Sequence, residues 1–267
     1  MIRNSTKVEL THYPILSQFT GISHFSTTRF GGVSSGNYES LNLGLYSGDS
    51  NKNINENFER LCSEINVRRE QIYLPFQSHE NRVLCIDEDF SKETKEAQDK
   101  LLNGVDALIT RLPEKLIGVT TADCVPILVY DPVTKSVGAA HAGWRGTRGR
   151  IAEKMVAAMA AKFGTNPKNI FAAIGVSISP DAYNVGKELI ALFEEENFDT
   201  EKIFFKKNAK YHLDLQNANK LILENAGIPT ENIQNSGICT FNENEKYFSA
   251  RRLGINSGRL IHCVMLK

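Results

Sequence analysis

The sequence predicts an α/β fold with a mixed, hairpin-containing sheet in one domain. Three observations carry this. Short apolar runs of strand length alternate with longer segments whose apolar residues recur every three or four positions. Two adjacent runs flank DPVT, where Asp and Pro are strong turn formers, so at least one strand pair is an antiparallel hairpin rather than a βαβ unit. No repeat, low-complexity tract or Pro/Gly/Ser-rich linker divides the chain, so 1–267 reads as a single domain.

Taken in order, the start MIRNSTKVELTHYPIL lacks a basic-then-apolar leader, and no later run is apolar enough to span a bilayer; a cytoplasmic location is expected. The stretch ISHFSTTRFGGVSSGNYESLNLGLYSGD opens as a strand and continues as a loop dense in Gly, Ser and Asn, a candidate wall for a site. A helix follows at 52–65, with Ile54, Phe58, Leu61 and Ile65 on one face and Asp49 or Ser50 as its cap. Strands are expected at 71–76, 82–86, 105–109, 116–120, 125–130 and 136–140. A second helix at 147–163 sets Ile151, Met155, Met159 and Phe163 in a stripe, and further helices fit 186–197 and 215–226.

Lys plus Arg and Asp plus Glu number 31 each, so no net field favours nucleic acid or a membrane surface, and a small-molecule partner is the default. Five cysteines, odd in number and without a CxxC pair, point to packing or metal rather than a disulfide framework.

The hairpin around DPVT bears on metal binding. With 131–134 as its loop, Tyr130 faces Lys135, and counting back sets Cys124 opposite His141, close enough for a thiolate and an imidazole to share an ion. Pro126 is where a bulge would spoil that register. His79, in FQSHENR between two strands, is the best third ligand by context. Three protein ligands leave one tetrahedral position open, which marks a catalytic site, and mixed N/S ligation favours zinc. The alternative is a small buried cysteine and hydrogen-bonded histidines.

The strings TRFGGVSSG, SLNLG, FQSH, TTADCVPIL, AAHAGWRGT and FSARR, in this order, resemble the laccase-domain (YfiH-type) family of purine nucleoside phosphorylases, formerly called multicopper polyphenol oxidases. The resemblance implies an α/β sandwich with a mixed sheet, and Zn2+ held by His79, Cys124 and His141. It implies phosphorolysis of adenosine, inosine and methylthioadenosine to free base and sugar 1-phosphate, with adenosine deamination at the same site. Copper-dependent phenol oxidation and editing of peptidoglycan precursors by an amidase are also described in the family. This chain departs from the family pattern at Ser78 and Glu80, which replace Val and Gly, and at Asp181 and Ala182, which replace a Cys pair. The lost thiols make a copper-rich oxidase site less expected.

Arg29 and Asn42 match family positions that line the pocket, a guanidinium suiting phosphate and an amide suiting ribose or purine edges; both would equally serve to hold their loop. Arg145, in the strand-to-helix passage HAGWRGTRGR, is the preferred phosphate contact or else a surface ion-pair arginine, while Arg148 and Arg150 read as solvated. Glu80 and Asp123 are candidate proton shuttles; Glu80 otherwise is a solvated loop charge and Asp123 an anchor for a ligand or backbone amide. Trp144 reads as core, with purine stacking as its other role. Arg251 and Arg252 match a family motif, though a charged strand end explains them too. His24, His212 and His262 read as structural. Two rivals remain: a cysteine hydrolase acting through Cys124 and a histidine base, and a non-catalytic zinc or nucleoside sensor.

Overall fold

The computed structural model describes residues 7–267; residues 1–6, part of the stretch read for a leader, lie outside it. The described strands are β1 (Leu10–Thr11), β2 (Ile22–Thr27), β3 (Ile72–Tyr73), β4 (Val83–Cys85), β5 (Ala107–Thr110), β6 (Leu116–Thr121), β7 (Val125–Asp131), β8 (Ser136–Ala142), β9 (Phe171–Ile174), β10 (Asn184–Val185), β11 (Phe204–Lys207), β12 (Lys210–Leu213), β13 (Ile233–Asn235) and β14 (Leu260–Leu266). They build a five-stranded sheet in the order β1-β2-β14-β6-β3, a six-stranded sheet in the order β13-β9-β7-β8-β5-β4, and a small sheet β10-β12-β11. Both large sheets are mixed, since β3 joins β6, β4 joins β5 and β13 joins β9 in parallel while the other pairs are antiparallel. No described helix is long and apolar enough to cross a membrane.

The two large sheets stack face to face. Successive residues of a strand face opposite sides, and Leu128 and Tyr130 of β7, Val137 and Ala139 of β8, and Ile117 and Val119 of β6 share one buried cluster with Val264 of β14. Ile127 and Val129 point the other way, against Met155 and Met159 of the helix Ile151–Phe163 and Ile222 of the helix Leu215–Asn225. The outer face of the five-stranded sheet packs Phe25, Ile261 and Cys263 under Ile54, Phe58 and Leu61 of the helix Asn51–Ile65. This helix–sheet–sheet–helix sandwich buries β7 and β8 at every residue, which is why they read as unbroken apolar runs.

The hairpin forms, but its register differs from the count by two. Asp131 pairs with Ser136 and Pro126 with His141, so the loop is 132–135. Asp131 stays in the strand because its carboxylate accepts from the Val133 and Thr134 N–H groups and the Thr134 hydroxyl, and Lys135 closes the turn at φ 49°. A slip of two keeps every side chain on its face, so Cys124 and His141 remain on one side as diagonal neighbours. No bulge occurs at Pro126; its carbonyl accepts from Gly175, just past the end of β9, where a missing N–H breaks little of the ladder.

Several boundaries also shift. The helix Asn51–Ile65 is capped by Ser50, whose hydroxyl accepts from Asn53. The helix expected at 147–163 is two, Trp144–Arg148 and Ile151–Phe163, broken where Arg150 adopts φ 56°. Arg148 and Arg150 are not merely solvated: Arg148 pairs with Glu195 and Glu196, and Arg150 lies 4.4 Å over the Phe198 ring. The strand expected at 71–76 contracts to β3, ahead of Pro75, and the helix expected at 186–197 to Glu188–Glu194.

A polar chain crosses the space between the sheets. Tyr13 Oη meets Ser26 Oγ at 2.5 Å, Ser26 Oγ meets His262 Nδ1 at 2.6 Å, and His262 Nε2 meets Thr121 Oγ1 at 2.8 Å. Burial pushes His262 down to about 3 and His24, which accepts from the Tyr13 N–H, down to about 4. Both rings therefore stay neutral in the fold, whereas unfolded rings take up protons below about 6.5. The unfolded state binds more protons, so stability falls as pH drops from about 6.5 toward 4, by up to about 1.4 kcal/mol per pH unit for each ring. Urea unfolding should show lower stability at pH 5 than at pH 7, and His262→Gln should flatten that difference; an unchanged difference would contradict the assignment.

Candidate metal centre

Two of the three expected ligands come from places where the chain passes between the two large sheets, and the third from a strand. His79 lies on the connection from β3 to β4, and Cys124 ends the short connection from β6 to β7. His141 sits on β8 with the parity of Val137 and Ala139, so its ring faces the space between the sheets. Their ligand atoms all lie within 4.8 Å of one another. The two imidazoles approach at 83° with centroids 4.7 Å apart. His79 adopts φ 62° and Asp123, beside Cys124, φ 101°, conformations that side-chain-bearing residues rarely take and that the surrounding contacts must hold.

Those contacts start at Asp106, which has no exposed surface. Its carboxylate accepts from His141 Nδ1 at 2.8 Å and from the N–H groups of His79 (3.1 Å), Glu80 (2.8 Å) and Ser78 (3.3 Å). Burial works to raise its pKa, but the hydrogen bond and charge of His141 outweigh that and hold it below the usual carboxylate range. With Nδ1 committed to Asp106, Nε2 is the His141 nitrogen left for a ligand. This is the carboxylate–histidine arrangement that fixes ring orientation and tautomer behind metal ions.

The centre also has room. A Cβ on Gly143 would stand 3.0 Å from Cys124 Sγ, 3.3 Å from His79 Cδ2 and 3.8 Å from His141 Cε1, so glycine keeps that approach clear. Burial raises the Cys124 thiol, yet His141 and His79 override this and bring it down to about 6. Burial likewise lowers His141, yet Cys124 and Asp106 lift it to about 9. Each group thus favours the charged form of the other, and a site that draws a thiolate and positive charge together suits a cation. Two nitrogens and one sulfur on converging elements fit a borderline-soft metal ion with a fourth position open.

The family described as "Multi-copper polyphenol oxidoreductase laccase" matches residues 23–267. The chain belongs to this family. It is 38% identical over 268 residues to a purine nucleoside phosphorylase of Bacteroides thetaiotaomicron, covering 100% of this chain and 99% of that one. It is 41% identical over 255 residues to "Adenosine deaminase RL5" from an unknown prokaryotic organism, covering 94% and 97%. The solved structure of a Bacillus licheniformis hypothetical protein YfiH superposes with a TM-score of 0.89 at 31% identity, covering 99% of this chain and 98% of that one. The YlmD structure from Geobacillus stearothermophilus does so with a TM-score of 0.87 at 32% identity, covering 96% and 94%.

In this family member the centre opens onto a cavity of about 350 Å³ between Gly44–Ser47, Phe76, Ala250 and Arg259. Arg29 and Asn42 do not line it. Arg29 is buried and donates to the carbonyls of Glu39 and Asn244 beneath the Phe248 ring. Asn42, fully buried, donates to Ser47 and Asp49 and accepts from the N–H groups of Gly44 and Arg259, so it shapes the wall from behind. Arg145 is exposed and stacks at 4.4 Å on half-buried Trp144, also outside the lining. Asp123 accepts from Thr240 Oγ1 and the Arg251 N–H, leaving Glu80 as an exposed carboxylate. Arg251 donates to Asn184 and Arg252 to the Phe241 carbonyl. Sequence reasoning missed Asp106, Gln77 and Arg259. Only Asp106 left a signal, a charge at the head of an apolar strand; Gln77 clamps Thr120 through its N–H, hydroxyl and carbonyl.

Asp106→Asn would turn an amide N–H toward backbone donors and release the His141 ring. Affinity for Zn2+, read by competition with a chromophoric chelator, should fall about 10–100-fold. Gly143→Ala should weaken it as well, by crowding Sγ.

Proposed function

We propose that this chain is a zinc-dependent purine nucleoside enzyme. It takes adenosine, inosine or methylthioadenosine with phosphate to the free base and the sugar 1-phosphate, and it deaminates adenosine at the same site. His79, Cys124 and His141 hold the zinc. The observation that carries the reading is the His–Cys–His group opening onto a nucleoside-sized cavity with an apolar rim. Leu45, Tyr46, Phe76 and Ile255 all stand exposed at this rim, and Tyr46 and Phe76 meet edge to face at 4.6 Å. Exposed apolar groups gathered at one mouth mark a binding surface, and aromatic rings suit the flat face of a purine. The names of the Bacteroides and RL5 relatives supply the two reactions.

When bound, the ion supplies Lewis acidity, making water nucleophilic near neutral pH. The chain supplies the rest. Asp106 fixes the His141 tautomer, and Gln77 holds the Thr120 wall. A second reading has a specific basis: Cys124, His141 and Asp106 also line up as nucleophile, base and orienting carboxylate, the arrangement of a cysteine hydrolase or amidase. Copper binds such N/S sites more tightly than zinc, so phenol oxidation would track copper occupancy.

Metal analysis of untagged protein should find about one zinc per chain. Chromatography should show adenine that depends on phosphate and inosine that does not, both lost in Cys124→Ala together with the zinc. Activity that survives stringent chelation would select the cysteine-hydrolase reading. Tyr46→Ala should raise the nucleoside KM by about 2–10-fold with zinc retained, the loss of one aromatic contact.

A further inference from the structure

Among the described residues lining the cavity, Arg259 is the one arginine or lysine, and it shares that lining with all three centre residues. Its charge has no carboxylate partner among the described ion pairs. Neutral acceptors hold it instead: Nη1 donates to the Ser257 carbonyl (2.8 Å), the Ser257 hydroxyl (3.3 Å) and the Gly258 carbonyl (3.1 Å), and Nη2 to the Ile255 carbonyl (2.9 Å). Among the described residues none accepts from its Nε. Burial lowers its pKa, against the opposing influence of Cys124, Asp123 and Tyr38.

The side chain is also placed from behind. Its N–H donates to Asn42 Oδ1 at 2.9 Å, the same oxygen that takes the Gly44 N–H at 3.0 Å. A Cβ at Gly44 would stand 2.7 Å from Arg259 Cγ and 2.9 Å from its Cβ, so the glycine makes way for the arginine stem. The asparagine and the glycine of SLNLG thus serve Arg259 rather than a ligand directly. The other two arginine candidates for phosphate do not line the cavity: Arg29 donates to the carbonyls of Glu39 and Asn244, and Arg145 stacks on Trp144.

We infer that Arg259 is the anion-holding residue of the cavity, binding inorganic phosphate before phosphorolysis and the phosphate of the sugar 1-phosphate after it. This rests on the nucleoside reading above. In that reaction a phosphate oxygen bonds to C1′ as the C1′–N9 bond breaks; the bonding pair leaves with the base, and the proton lost by the attacking phosphate equals the one the base gains. A pre-held guanidinium with an unsatisfied charge meets the doubly charged reactant and product alike.

Two readouts test it on the full-length zinc protein. In Arg259→Met the phosphate KM should rise about tenfold or more, and the adenine-to-inosine ratio from adenosine at fixed phosphate should fall correspondingly, with Arg259→Lys intermediate. The rise in Tm that inorganic phosphate gives the wild type should shrink by the same order in Arg259→Met. A phosphate KM within twofold of wild type and an unchanged phosphate shift in Tm would overturn the inference and leave Arg259 as a staple for the 255–258 loop. Wild type that releases no adenine would instead fail the nucleoside reading, and the Tm comparison would then decide the anion site by itself.

Discussion

A carboxylate without exposed surface must find donors for its oxygens or give up its charge, and Asp106 finds them on two separate parts of the chain. The N–H groups of Ser78, His79 and Glu80 come from the connection between the sheets, and the imidazole N–H comes from His141 in the middle of the six-stranded sheet. One side chain therefore sets both where the exposed His79 stands and how the buried His141 turns. The positive φ of His79 is tolerable because its own amide and both neighbours are tied to this carboxylate. Charge-assisted hydrogen bonds of this kind are stronger than neutral ones, and in a buried setting losing one partner leaves the others without compensation.

The sandwich explains why the centre lies where it does. Chain segments that leave one sheet for the other cannot continue either ladder, so their backbone groups and side chains are free to serve local geometry. His79 and Cys124 both lie on such crossings, while His141 projects from a strand buried on both faces. Rigid sheet on one side and two held crossings on the other give a small site little freedom to change shape. Gly143 completes it by omission, since any side chain there would enter the space between sulfur and rings.

Around this centre the cavity is polarised. Apolar rings gather at the rim, and the unpaired guanidinium of Arg259 lies in the wall. The Gly-rich loop contributes to both, but mostly as scaffold. Arg29 and Asn42 are buried within it and hold neighbouring carbonyls and amides, so the residues that looked most like ligand contacts shape the surface that other residues present.

Local patterns determined much of this protein. Periodicity places the helices Asn51–Ile65 and Leu215–Asn225 within a residue or so, because an apolar stripe with Ser50 or Asp214 as its cap leaves few alternatives. The hairpin, the shared face of Cys124 and His141, and the choice of His79 were also legible, the last from its place between two strands and from family resemblance. Register, partnership and orientation were not. The DPVT loop lies one residue further along than its turn formers predict, which shifts the register by two, because the Asp131 carboxylate organises the turn while its backbone stays in the strand. Arg150 breaks a continuous helical pattern through contacts to Phe198 and Glu196, far along the chain. Asp106 joins residues 78–80 to His141, and Arg259 meets the centre from the far end of the sequence, both across strands that only the packed sheets bring together. Propensity and periodicity act over a few residues, whereas the placement of a charge against its partner is decided by burial, which exists only once the sheets have stacked.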